Sequence, residues 1–381
     1  MLLFPQREDS ITGEASGSDG RIVSVLARHP VNSVRAGRHS GCAPSHRSRK
    51  GGRVRRRRFS SAIVTLSMVP PLLGLLGSPP SGGAAPLAGV KLINYFPSIH
   101  PWTAMWTHWD PTLIDHDFAE IEGLNANTVR LVIQPTPFGY PKPYAAMMDR
   151  LASAIRMANA HDLRVQLTLF DQWRSYADLD GSRRWANAVL APFRYDKRIE
   201  SVELQNEIDP SNAVAIYWAR YMLPKLRIMA GNIPITISSL ASTSNLQKLK
   251  AGLGKVQPDF YSFHYYGSAD NALGILREAR NIAYPHALFV GETGLPSGDD
   301  SPTAAPDPSQ EAAQAHFMSA VESATQSLSL PPAAPWIYQD FAAGSLLPST
   351  ADTEYHYGLF RADGSEKPVA TWLRSYFQAR N

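Results

Sequence analysis

Two glutamates stand out because each closes a run of otherwise strand-like residues. Glu207 ends Val202-Glu203-Leu204-Gln205-Asn206-Glu207, and Glu292 ends Ala287-Leu288-Phe289-Val290-Gly291-Glu292. Alternation by two places Glu203, Gln205 and Glu207 on one side of the first run and Val202 and Leu204 on the other. Gly291 allows close approach to neighbouring backbone. A pair of carboxylates that face one another can cleave a glycosidic bond: one protonated carboxyl donates to the leaving oxygen, and one carboxylate attacks the anomeric carbon or activates water. Such chemistry needs the two groups brought within a few ångströms of each other from positions 85 residues apart, so the elements that carry them decide whether it is available.

From residue 88 onward, short β-branched or apolar runs alternate with longer amphipathic ones. Strands are expected at Val90–Phe96, Thr128–Ile133, Arg164–Phe170, Ile199–Gln205, Ile235–Ser239, Phe260–His264, Ala287–Glu292 and Pro335–Asp340. Helices are expected at Leu113–Gly123, Tyr144–His161, Arg183–Pro192, Ala213–Ala230, Leu246–Leu253, Asn271–Ala283, Gln310–Leu328 and Val369–Ala379. Eight β-then-α units call for parallel strands with crossover helices, and their span fits an α/β fold of the (β/α)8 TIM-barrel type over residues 88–381. In such a barrel, polar residues at the C-terminal strand ends belong to the active face. Those ends carry Arg130, then Asp171 and Trp173, Asn206-Glu207, His264 to Tyr266, Glu292, and Trp336. Trp102, Trp106, Trp109, Phe138, Tyr140 and Tyr265 also fall in or beside the βα loops, where rings could stack on the C–H faces of sugars.

The ordered set of Arg130, Asn206-Glu207, His264-Tyr265-Tyr266, Gly291-Glu292 and Trp336 resembles the clan A glycoside hydrolases, most closely family 5 and its cellulase-like relatives. The resemblance spans residues 88–381. It implies Glu207 as acid/base, Glu292 as nucleophile and Asn206 as the partner of the sugar 2-hydroxyl. Arg130 and Tyr266 would hold Glu292 ionised, His264 would line the subsite and Trp336 would be the platform beneath the sugar. The chain departs from the family twice. Ile208-Asp209 intervenes between Asn-Glu and Pro210, and no histidine stands at the end of the third strand, where Asp171 or Gln172 would take over its sugar contact. Competing readings make Arg130 an ordinary ion-pair partner, His264 a core imidazole and Trp336 barrel packing. Glu203 reads as a buried support for Arg130 or Glu207.

The remaining composition narrows the field. Of the 381 residues, 44% are hydrophobic and the formal charge is +4, yet residues 1–58 hold 13 basic against 4 acidic residues while 59–381 hold 24 against 29. The body is therefore acidic and offers no basic groove for nucleic acid. Residues 1–52 read as a disordered or over-long extension. Residues 53–87 read as a signal peptide with a small-residue linker: a basic Arg55-Arg56-Arg57-Arg58 stretch, an apolar run broken by Pro70-Pro71, and Ser81-Gly82-Gly83-Ala84-Ala85 for cleavage. Export to the periplasm, cell envelope or medium follows as the expectation, with no stable membrane insertion of the mature domain. The one cysteine, Cys42, lies in the extension ahead of that signal peptide, which removes thiol chemistry and disulfides from the body. Asp115-His116-Asp117 diverge on a helix and make a poor metal set. No cofactor and no metal is called for, and H-E-x-x-H, G-x-S-x-G, Walker A and G-x-G-x-x-G patterns do not occur. The expectation is a monomeric, secreted, retaining glycosidase acting on a β-linked oligo- or polysaccharide. The alternatives are a non-catalytic carbohydrate-binding barrel and a transglycosylase remodelling a cell-envelope glycan.

Overall fold

The computed structural model describes residues 87–298, 301–347 and 350–380, so the extension and signal peptide expected at 1–87 lie, but for Leu87, outside the described residues. Five strands, β1 (Leu92–Asn94), β2 (Thr128–Val132), β3 (Arg164–Thr168), β4 (Ile199–Glu203) and β5 (Ile235–Thr236), pair in sequence order and in parallel. Two more, β6 (Phe260–Tyr265) and β7 (Ala287–Thr293), form a second parallel pair. The two sheets join into a ring. Asp259 N donates to Ile235 O (2.9 Å), Ser262 N donates to Ile237 O (3.4 Å), and Ser238 bridges Ser262 in parallel.

The eighth position differs from the expected strand. Residues 335–340 form no ladder, and instead pass backbone bonds alternately to their two neighbours. Pro335 has no N–H to give. On the β7 side Ala334 N donates to Val290 O (2.8 Å), Thr293 N to Ala334 O (3.0 Å) and Trp336 N to Thr293 O (2.8 Å). On the β1 side Asn94 N donates to Pro335 O (3.3 Å) and Tyr338 N to Asn94 O (3.0 Å). Those bonds close the barrel, and the Trp336–Ile337 peptide within the segment is cis.

Helices follow the strands as a (β/α)8 fold requires. Two short ones in loops, α1 (Thr103–Thr107) and α3 (Pro135–Gly139), were not expected; α2 (Pro111–Gly123), α4 (Ala145–Ala160), α5 (Leu179–Leu190), α6 (Ala213–Ala230), α7 (Thr243–Leu253), α8 (Ala272–Ala283), α9 (Pro308–Ser327) and α10 (Pro368–Gln378) match the eight expected. Their starts have local causes. Asp110 accepts from the N–H groups of Thr112 and Leu113 at 3.0 Å, and Asp307 accepts from Ser309 N at 2.8 Å; each is followed by proline, whose missing N–H is one the first turn leaves unpaired. No helix among the described residues is long and apolar enough to cross a membrane.

Alternation along the strands sorts the side chains. Val129, Leu131, Val165, Leu167, Val202, Leu288 and Val290 belong to the large apolar layer shared with the helices. The opposite set faces the barrel axis and is divided along its length. Leu92, Phe260, Phe289 and Ala334, with Leu87 and Val90, form a separate apolar cluster at the N-terminal half. Asn94, Arg130, Thr168, Glu203, His264 and Glu292 occupy the C-terminal half, and all are buried.

Candidate active site

The strand ends converge on Arg130. From the third residue of β2 its guanidinium reaches four neighbouring strands or their extensions. Nη1 donates to Glu292 Oε1 (2.6 Å) and to Asn94 Oδ1 (2.9 Å), Nη2 to Glu203 Oε2 (2.6 Å) and Asn206 Oδ1 (2.7 Å), and Nε to Thr168 Oγ1 (2.9 Å) and Glu203 Oε2 (3.0 Å). A buried cation demands this kind of compensation. Burial works to lower its pKa, and the Glu203 and Glu292 charges overcome that and raise it. Glu203, wholly buried, is thus the support anticipated for it.

Glu292 is surrounded by donors. Besides Arg130 on Oε1, the Tyr266 hydroxyl donates to Oε2 at 2.8 Å, and His264 Nδ1 lies 3.3 Å from the same oxygen. His264 Nδ1 also stands 2.9 Å from Glu207 Oε1, so the imidazole sits between the two carboxylates. Burial pushes His264 down, but the Glu292 charge and the Glu207 hydrogen bond prevail and raise it above its ordinary value of 6.5. The two glutamates differ in access: the Glu207 side chain is 20% exposed and that of Glu292 1%.

One ligand-type atom from each of Glu207, His264 and Glu292 falls within 4.8 Å of the others. By donor type the three could attract a divalent cation. The guanidinium 2.6 Å from Glu292 and the hydroxyl on its second oxygen instead suit a carboxylate held by hydrogen bonds.

Strict alternation does not survive to the end of the fourth run. β4 ends at Glu203, and Glu207 has φ +46°, a left-handed conformation rare outside glycine. The break turns both Asn206 and Glu207 toward the site, while Gln205 leaves it and donates to the Tyr176 hydroxyl at 2.8 Å. The Glu207 N–H is held by Ser238 Oγ at 2.9 Å. Asp171 is buried beside Asn206, whose Nδ2 donates to it at 3.2 Å, and Gln134 Nε2 donates to its other oxygen at 3.0 Å. Burial raises its pKa to about 6 against those two hydrogen bonds.

The expected tryptophans Trp106, Trp173 and Trp336 are all buried, at 1%, 4% and 5% exposure, and differ in their neighbours. Trp336 stands edge-on to Phe96 (centroids 6.1 Å) and 6.3 Å from Trp102, which in turn lies against Phe341. Trp106 is a correction: it is 1% exposed, its indole N–H donates to Val132 O at 2.8 Å, and Phe138 packs edge-on against it, so it builds the wall and does not face the cleft. Trp173 is likewise buried, between Tyr140 and Phe170. Residues that sequence reasoning passed over are Asn94, Gln134, Thr168 and Ser238. Asn94 and Thr168 each end a strand, the one signal that could have drawn attention to them.

No family model matches the sequence, and no curated protein matches it. Solved structures do. The chain superposes on the exo-β-1,4-mannosidase Op5Man5 from Opitutaceae bacterium strain TAV5 with TM-score 0.62 and 18% identity, over 76% of this chain and 59% of the mannosidase. A GH5_18 variant from Streptomyces cattleya in complex with Manβ1-4GlcNAc gives 0.62 and 16%, over 76% and 80%. The β-glucosidase 1317 gives 0.56 and 13%, over 73% and 89%. The chain has the barrel fold of these glycosidases. It spans 59% of the length of the Opitutaceae enzyme, and at these identities the likeness is one of fold.

Proposed function

We propose that the protein is a retaining β-glycosidase working by double displacement. The observation that carries this reading is that one oxygen of Glu207 and one of Glu292 lie within 4.8 Å of each other with His264 between them, a proximity that suits the roughly 5–5.5 Å carboxyl separation of retaining enzymes better than the 6.5–9.5 Å that admits a water for inversion. Glu292, oriented by Arg130 and Tyr266, attacks the anomeric carbon. Its bond to C1 forms as the bond to the leaving oxygen breaks, and Glu207, the more open carboxyl, gives that oxygen a proton. In the second half-reaction Glu207 takes a proton from water, which attacks C1 and releases Glu292. Asn206 meets the 2-hydroxyl and Trp336 lies under the ring. The mannosidase and glucosidase neighbours support a β-linked substrate and make aryl β-mannosides and β-glucosides the first to try.

The roles are separated by chemical rescue. Glu207→Ala should still form the glycosyl-enzyme from a 2,4-dinitrophenyl β-glycoside, stall, and turn over with added azide to give the β-glycosyl azide. Glu292→Ala should be inactive until azide replaces the nucleophile and yields the α-azide. The same anomer from both variants would overturn the assignment. Export of an acidic mature chain forms part of the same proposal, supported by the leader at 53–87. N-terminal sequencing of the extracytoplasmic protein should find a start near residues 82–89, and a soluble cytoplasmic protein with its leader intact would count against it.

A further inference from the structure

The end of the third strand carries an acid where the resembled family carries a histidine, and that acid has two partners of its own. Asp171 is 5% exposed. Its Oδ2 accepts from Gln134 Nε2 (3.0 Å), its Oδ1 accepts from Asn206 Nδ2 (3.2 Å), and Gln134 is held in turn by the Thr103 hydroxyl on Oε1. At the far end of the Asn206 amide, Arg130 Nη2 donates to Oδ1 at 2.7 Å. A guanidinium can only donate and an ionised carboxylate can only accept, so the two neighbours grip opposite ends of one planar amide. With a single anchor the amide could still rotate about its terminal torsion, which is soft. With two it is locked, one N–H committed to Asp171 and the second left as a donor of fixed direction.

We infer that Asp171, braced by Gln134 and Thr103, is a positioning residue that fixes the free N–H of Asn206 for a substrate 2-hydroxyl. This rests on the glycosidase reading above. What it adds to the contact that the resemblance implies is its rigidity, which it assigns to a relay from α1 through the loops after β2 and β3 to the loop after β4.

The test compares 2,4-dinitrophenyl β-D-glucoside and β-D-mannoside with the 2-deoxy-β-D-arabino-hexoside that corresponds to both. Asp171→Ala should lower kcat/KM about 10- to 100-fold on whichever 2-hydroxy substrate the wild type prefers, the cost of a misplaced contact. On the 2-deoxy substrate, which lacks the partner of that N–H, the same variant should lose at least about tenfold less, so that the ratio of the two kcat/KM values falls toward one. Asp171→Asn is the folding control. Its amide oxygen can still accept from Asn206 if Gln134 turns its own amide over, so it should keep most of the 2-hydroxyl preference. Gln134→Glu sets two carboxylates face to face and should lose that preference, and adding Asp171→Asn to it should restore it. Equal losses on both substrates by a folded Asp171→Ala, or no loss on either, would overturn the inference and leave the glycosidase reading standing. A wild type that turns over no aryl β-glycoside overturns both, and shows it before any variant is made.

Discussion

Within one barrel the two halves of the same strands do opposite work. Leu92 and Asn94 are two residues apart on β1, Phe260 and His264 four apart on β6, and Phe289 and Glu292 three apart on β7, yet the first of each pair belongs to an apolar plug and the second to the polar layer. The plug needs only volume and shape, since apolar contacts are non-directional. The polar layer needs a partner for every charge, because an unpaired buried ion is far more costly than an unpaired methyl. Arg130 is where that requirement is concentrated. Arg130→Met should therefore have the largest effect of any single change: loss of measurable turnover, and a stability loss of about 3–5 kcal/mol from leaving Glu203 and Glu292 buried without their cation. Arg130→Lys should rescue little, since an ammonium cannot present the planar fork that now serves Asn94, Thr168, Glu203, Asn206 and Glu292 together. Urea unfolding beside kcat/KM measures both quantities. A variant that stays fully stable but inactive would show that the polar layer tolerates unpaired charge.

The apolar half should break the other way. Phe289→Ala removes an aromatic ring from the plug and should cost about 3–5 kcal/mol in unfolding free energy, while the folded fraction keeps the kcat of the wild type. A large fall in kcat at a temperature where the variant is folded would mean that the two halves are coupled.

This contrast also explains how much could be read from the sequence. Period-two alternation and the punctuation of helix starts fix seven strands and eight helices, because each follows from local pattern and the burial it demands. The charged site residues were legible for the same reason: Arg130, Glu207 and Glu292 interrupt apolar runs, and a charge in such a place calls for an explanation. Neutral groups give no such signal. Asn94, Gln134 and Thr168 are ordinary residues until Arg130 and Asp171 are placed beside them. Nor could alternation foresee the left-handed turn at Glu207, which brings two consecutive side chains into the site. The eighth strand failed because Pro335 interrupts the donor pattern that a ladder needs. Trp106 failed because a loop indole can point outward to a ligand or inward to Val132 O, and only its three-dimensional neighbours decide.

The smallest expected effect separates the halves by pH. Asp171 has its pKa raised by burial from 3.8 to about 6, and His264 is raised above 6.5 by Glu292 and Glu207. Both groups then hold their protons more tightly in the folded chain than in the unfolded one, so stability falls as pH rises through their folded values. For Asp171 the contribution is complete below about pH 3.8 and lost by the time the pH has passed through about 6, a swing of roughly 3 kcal/mol at most. For His264 it is complete below 6.5 and lost above that. Asp171→Asn abolishes the first contribution and leaves the second. Relative to wild type it should therefore gain stability between pH 4 and 7 and keep that gain at higher pH. Phe289→Ala, which touches no titrating group in the plug, should run parallel to wild type over the whole range. If unfolding free energies show the two variants with the same pH slope, burial at the polar end does not load Asp171, and the division between the halves reduces to a difference in side-chain size.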